Sequence, residues 1–280
     1  MSLLSRNELG VVLYPEQIAF LHTGRKLTLS GYKAEIHADE TIPCEPPVAS
    51  DMPWQSAIRT LEAALPSIIQ GKPAVSVILS NHFMRYLLVP WLDMMSEEEV
   101  MAFARHCFRE TYGDVADSWN VRINPGPVGV AALASAVDTK LLDELHESLK
   151  RLNLNISSIQ PHLMAAFNSC QHSLAGRSTW LALLEPGSLC LAALLKGQLS
   201  WIRKLRIGDA WSEELSTILL RESYLADARV EMDEIFLWAP RFEAQDIRAV
   251  GRWTLQHSEP DAKSDRKLAY GVLKTLAVGH

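Results

Sequence analysis

LALLEPGSLCLAALLKGQLSWIRKLRIGDAW, residues 181–211, is the stretch on which the fold turns. It reads as three strands joined by two tight turns and running into a helix. Glu185-Pro186-Gly187-Ser188 forms the first turn, Lys196-Gly197 the second, and Ile207-Gly208-Asp209 hands over to the helix. Proline pre-sets φ at the first central position of a turn, and glycine tolerates positive φ at the second. The apolar runs on either side are too short for helices. The unit is therefore a β-ribbon followed by a helix.

The bulk composition narrows the class. The 280 residues suffice for one large domain or two lobes with real cores. With 48% hydrophobic and 21% charged residues, the chain is an ordinary globular protein. A formal charge of −6 opposes non-specific nucleic-acid binding, which needs clustered cations to neutralise phosphates. Arg203, Lys204 and Arg206 are interleaved with Trp201, Ile202 and Leu205, as expected for a strand. Cys44, Cys107, Cys170 and Cys190 are scattered without a Cys-x-x-Cys pair, which fits a reducing compartment. The opening MSLLSRNELG lacks a signal-peptide core, and no stretch approaches the roughly 18–20 apolar residues of a membrane span. Any membrane role is expected to run through a partner.

Around the ribbon, strands and helices are mixed, which predicts an α/β or α+β architecture. Leu9–Tyr14, Gln17–His22 and Thr28–Ile36 read as an opening meander. Ala38–Pro53, with four prolines, reads as a loop. Trp54, Ile58, Leu61, Leu65, Ile68 and Ile69 then mark one stripe of a helix. Ala74–Leu79 and Met84–Val89 are strands, and Ser96 with Glu99 makes a capping box for the next helix. Trp119–Asn124 and Val128–Ala134 are strands around Pro125-Gly126-Pro127. A helix carrying Leu141, Leu145 and Leu149 follows, then strand Asn155–Gln160 and a helix from Pro161 to about Cys170. Beyond the ribbon come a helix over about Asp209–Tyr224, strand Glu234–Ala239, a short helix near Ala244–Val250, strand Trp253–Gln256 and a helix over Lys267–Val278. A meander then a helix at the start, and a ribbon then a helix from Leu181, make a coarse internal echo. Two lobes on one plan would produce it.

AVSVILSNHFMRYLLVPW, a turn, and then SEEEVMAFARHCFRETYG (residues 74–113) resemble a pattern in the actin-like proteins of type IV pilus assembly, the PilM type. They also resemble the cytoplasmic part of the type II secretion assembly protein called L. WNVRIN, VGVAALASAV, LLDELHESLK and LNISSIQP continue the pattern in order. The resemblance extends over roughly residues 9–278. It implies an actin-like, ribonuclease-H-related fold of two lobes, 1–175 and 176–280, with a small inserted α+β subdomain at about 84–160. It also implies a scaffold on the cytoplasmic face of the bacterial inner membrane.

An actin-like ATPase needs short acids near the ribbon turns to hold Mg²⁺, and glycine N–H groups to cradle phosphates. The first ribbon has Val11-Val12-Leu13-Tyr14-Pro15 where the family carries an Asp-x-Gly turn, and Glu16 lies beyond the turn. The second offers Glu185, Pro186, Gly187 and Ser188 as vestigial phosphate-turn positions: Gly187 is permissive, but Glu185 is a methylene too long and Pro186 has no N–H. Trp238-Ala239-Pro240 stands where the family turns on glycines and is expected to fill an adenine site. Only Leu225–Asp233 separates the second-lobe helix from its next strand, which implies a reduced lid. The expectation is a pseudo-ATPase with no cofactor, ATP/Mg²⁺ binding being the less favoured case.

Other chemistry-bearing residues give weaker signals. Asn81-His82 reads as a turn, and Arg105, His106 and Glu110 as a solvent face. His162 and His172 lack the spacing of a helical zinc pair. Ser188-x-Cys190 lacks a nucleophile elbow. Eight tryptophans sit mostly at element ends, as rim packing or as part of a partner groove. The expected function is a non-catalytic, cytoplasmic scaffold of a pilus or secretion machine. It would bind the cytoplasmic tail of an inner-membrane partner and possibly an assembly ATPase, with no nucleic acid and no metal. The alternatives are a nucleotide-regulated scaffold, whose lobe closure controls partner binding, and an actin-fold small-molecule kinase.

Overall fold

A computed structural model describes residues 7–28, 31–48, 51–91, 93, 95–226, 232–239 and 253–257. The helices expected at 244–250 and 267–278, and Pro240, lie outside the described residues. The described chain divides into two compact units, 7–83 with 140–165 and 84–139 with 166–257.

The first unit is a five-stranded sheet in the order β3-β2-β1-β4-β8. Its strands are β1 (Glu8–Leu13), β2 (Gln17–Thr28), β3 (Gly31–Pro43), β4 (Ala74–Leu79) and β8 (Asn155–Pro161). β1 pairs antiparallel with β2 and parallel with β4, and β4 pairs parallel with β8. The expected helical stripe is found on α1 (Gln55–Ile68), which buries Ile58, Leu61, Leu65 and Ile68. α3 (Thr139–Arg151) buries Leu141, Leu145 and Leu149, and α4 (His162–Ser169) and the single turn α5 (Gln171–Leu174) come later in the chain, where a helix to about Cys170 was expected. Between these helices, Trp54 Nε1 donates to Glu144 Oε2 at 3.1 Å, and Ser148 Oγ donates to Glu62 Oε1 at 2.6 Å.

Two expectations change here. β3 runs on to Pro43, through the start of the segment read as a loop. Pro43 is its last residue and lies on the outer strand of the sheet, where a missing N–H breaks no ladder. The insertion is also narrower than 84–160, because β8 returns to the first sheet beside β4.

The second unit holds two sheets. β5 (Met84–Val89), β6 (Trp119–Asn124) and β7 (Ala132–Asp138) form one, in the order β5-β7-β6. It is backed by α2 (Glu97–Tyr112), whose capping box forms as read from Ser96 and Glu99. Ala104 and Phe108 of α2 pack on Val89, Val121, Ala134 and Ala136 of this sheet. β7 starts later than the expected Val128, because the turn continues through Gly129 at φ 81°.

The other sheet has the order β11-β10-β9-β12-β13. It contains the ribbon strands β9 (Thr179–Glu185), β10 (Ser188–Leu195) and β11 (Gln198–Arg206), then β12 (Glu234–Trp238) and β13 (Thr254–His257). α6 (Trp211–Leu225) packs Trp211, Leu215 and Leu219 on the face carrying Trp180, Ala182, Leu184, Leu189 and Leu191. The sequence placed 84–139 with the first lobe, whereas its contacts group it with 166–257. β5 lies beside β11, and Lys204 Nζ donates to the Met84 carbonyl at 3.1 Å.

The ribbon turns as a candidate functional site

The two ribbon turns occupy matching places. Leu13↔Ile18 in the first ribbon matches Leu184↔Leu189 in the second, and one step nearer the turn Tyr14 is bonded to Gln17 and Glu185 pairs with Ser188. Tyr14-Pro15-Glu16-Gln17 thus corresponds to Glu185-Pro186-Gly187-Ser188. Each turn has a proline at its first central position, and in each the residue before it is buried: Tyr14 at 2% exposure and Glu185 at 1%. At the next position they diverge. Gly187 has φ 69°, and a Cβ there would meet nothing within 4 Å, so glycine is required by backbone conformation alone. Glu16 does not adopt positive φ, and its side chain is exposed.

In the first unit, the Tyr14 N–H donates to the Gln17 carbonyl at 3.0 Å. The Tyr14 ring meets His162 edge-on, with centroids 6.0 Å apart. A buried aromatic pair therefore stands where a metal-holding acid is needed, and Glu16 points to solvent. His162 and Asn81 are buried, the latter in the turn expected from Asn81-His82. Arg105 and His106 are exposed on α2 as expected. Among the described residues, no group of three or more His, Cys, Asp or Glu side chains could hold a metal ion.

In the second unit, the β-sheet register fills the space beside the turn. Trp238 pairs with Leu183, Leu183 with Cys190, and Cys190 with Lys204. Directly opposed residues share a face, so these four side chains form one row across the sheet. Trp238, Leu183 and Cys190 are buried. One step nearer the turn, Glu185 pairs with Ser188 and Ser188 with Arg206.

The electrostatics follow from this burial. Burial, and then the nearby Arg85, pull Lys204 down to about 8, while Cys190 and Glu185 act in the opposite direction. Burial holds the Cys190 thiol far above its ordinary range, with Glu185 adding to the shift. Cys190 is thus an inert core thiol, not a nucleophile. Lys204 was legible only as a strand cation. Its place opposite Cys190, near Glu185, comes from register, for which the local sequence carries no signal.

No family model and no curated protein matches the chain. Solved structures do match. A PilM–PilN type IV pilus biogenesis complex aligns with a TM-score of 0.66 at 16% identity, covering 97% of this chain and 96% of that one. A Bacteroides thetaiotaomicron protein with an actin-like ATPase fold aligns at 0.56 and 12% identity, covering 86% and 84%. The chain has an actin-like fold. The cytoplasmic domain of EpsL, an inner-membrane component of the Vibrio cholerae type II secretion system, also aligns at 0.56, with 14% identity and coverage of 97% and 94%. At these identities the likeness establishes the fold, and the chemistry must be read from the residues.

Proposed function

We propose that this chain is a non-catalytic, cytoplasmic scaffold of a bacterial pilus or type II secretion-like assembly, holding the cytoplasmic tail of an inner-membrane partner. What most supports this reading is end-to-end likeness: 97% of the chain aligns with a protein solved in a pilus biogenesis complex. The cytoplasmic domain of EpsL, an inner-membrane component of a type II secretion system, is matched over the same share of the chain. No described helix is long and apolar enough to cross a membrane. On this reading, attachment comes through the partner, and an assembly ATPase is a possible second ligand.

The turns support the non-catalytic part. An actin-type ATPase places an acid and phosphate-facing N–H groups at both ribbon turns. Here Tyr14 replaces one acid, and Pro15 and Pro186 each remove a donor. Trp238 fills the row next to Leu183. Ala226–Asp233 is all that lies between α6 and β12, which leaves a closing lid little chain to be built from. The same features count against a small-molecule kinase.

A pull-down with cytoplasmic tails of single-span membrane proteins encoded by neighbouring genes is the direct test. Retention of one tail is expected, and retention of none overturns the scaffold reading. The nucleotide-regulated alternative draws on Gly187, whose positive φ and open surroundings keep one turn permissive. Melting with ATP and Mg²⁺ separates the two. A ligand at a hundred times its Kd stabilises by about 2.7 kcal/mol. We expect no shift, and a clear rise that Gly187→Val removes would favour the alternative.

A further inference from the structure

The register that buries Trp238 and Cys190 leaves a polar corner on the same face of the second sheet. Lys204 and Arg206 stand two residues apart on β11, so their side chains leave one face about 7 Å apart. Across β10, Arg206 pairs with Ser188 and Ser188 with Glu185, which sets a hydroxyl and a carboxylate in the row beside Lys204. Ser188 and Glu185 are buried, Lys204 is half-buried and Arg206 is exposed. The corner therefore opens to solvent on its β11 side.

A third cation comes from the inserted sheet. Arg85 Nη1 donates to the Met84 carbonyl at 2.8 Å, and Lys204 Nζ donates to the same oxygen at 3.1 Å. Two nitrogens on one oxygen at these lengths lie within about 6 Å of each other. The rings of Tyr112 and Trp119 fix the Arg85 guanidinium, which stands 5.9 and 5.8 Å from their centroids. Lys204 responds to this crowding. Burial first, then Arg85 and last Arg206 favour its neutral form against Cys190 and Glu185, and hold it at about 8. About a quarter of such amines are unprotonated at pH 7.5. Desolvation beside other cations is a recognised way to make a lysine nucleophilic.

Two guanidinium groups around such an amine suit an electrophile that carries its own dianion, because the arginine fork matches phosphate oxygens. Glu185 acts on Lys204 as an anion and offsets one arginine, so with Lys204 neutral the corner keeps a net positive charge. We propose that Lys204 is an acylation site, modified directly by small acyl phosphates whose phosphate is held by Arg85 and Arg206. The neutral amine attacks the acyl carbon and forms the N–C bond. The C–O bond to phosphate breaks with its electron pair on the leaving phosphate, which also takes the surplus amine proton. The products are Nε-acyl-Lys204 and inorganic phosphate, with nothing oxidised or reduced. Acylation removes the charge with which Lys204 joins β11 to β5 at Met84, so it bears on the join between the inserted sheet and the ribbon.

The test treats the full chain with acetyl phosphate at pH 7.5 and follows acetylation of each lysine by mass spectrometry. Lys204 should react about tenfold faster than the exposed Lys72 and Lys150. Its rate should level off above a pH of about 8, while theirs keeps rising. Inorganic phosphate should slow Lys204 and spare the other two. N-hydroxysuccinimidyl acetate, which carries no phosphate, supplies the comparison. Arg206→Gln, at an exposed position, should lower the ratio of the acetyl phosphate rate to the ester rate at Lys204 about tenfold. Any change in the amine itself enters both rates, so the ratio isolates the hold on phosphate. Arg85→Gln should act in the same direction, and Arg206→Gln decides the matter if the loss of ring contacts unfolds that variant.

Lys204 reacting no faster than Lys72 and Lys150 overturns the proposal, even where phosphate binds nearby. So does a fast Lys204 with the same preference for the ester, unmoved by phosphate and by Arg206→Gln. That result would leave a reactive lysine without a phosphate site.

Discussion

The two five-stranded sheets follow one plan with different contents. Each has three antiparallel strands, then a helix, then two parallel strands: β3-β2-β1-β4-β8 beside β11-β10-β9-β12-β13. Their turns share a proline in the same place but part at Glu16 and Gly187. The first turn closes over an aromatic pair, Tyr14 and His162. The second closes beside a row carrying Trp238 and Lys204. Topology is therefore tolerant of what fills it, whereas site chemistry is not. One strand order accommodates a tyrosine or a glutamate at corresponding turn positions, but a bound phosphate and metal would not.

The largest effect that would break the pairing of the sheets lies in the second core. Trp180 is fully buried and meets Trp201 edge-on at 5.7 Å. Trp180→Ala should cost about 3–5 kcal/mol in denaturant unfolding. If Leu9→Ala, its counterpart in β1, costs more, the second core is not the more tightly built of the two.

Lys204 sharpens the contrast through pH. Its folded value of about 8 lies below the ordinary 10.5. Between these values the unfolded chain binds more protons, so stability should rise as pH goes from about 8 toward 10.5. Lys204→Met should abolish that rise in denaturant midpoints, and an unchanged slope would assign it elsewhere.

The turns themselves come next. Gly187→Ala meets open space, so its cost should be the left-handed backbone penalty alone, about 1–2 kcal/mol. Gly197→Ala should cost more, because its Cβ would lie 2.8 Å from the Gly176 nitrogen. Equal melting temperatures for these two variants would contradict the steric difference. The smallest effect is Glu16→Gly, in a turn that needs no positive φ. A loss of about 0.4–1 kcal/mol is expected, mainly through a looser unfolded chain.

Local signals in the sequence carried the elements well. Ser96 and Glu99 specified the start of α2, and the Leu141, Leu145, Leu149 stripe specified α3. Pro186 and Gly187 specified the first ribbon turn, since proline fixes its own φ and glycine admits the positive φ that the turn needs. Boundaries failed where a local signal was overruled from a distance. The prolines after Ile42 suggested a loop, yet pairing with β2 carries β3 to Pro43. Asn155–Gln160 looked like the end of the insertion, and the pairing of β8 with β4 makes it part of the first sheet.

By itself, the sequence determined the ribbon, its turns, and the absence of an acid at Tyr14. These are properties of single residues and their immediate neighbours. Tertiary structure alone decided that Lys204 shares a row with Cys190 and Trp238, and that Trp91 lines a cavity at the ends of β5, β6 and β7. The physical reason is register. Which side chains meet depends on how strands far apart in the chain align, and a shift of one residue would turn every one of them to the other face.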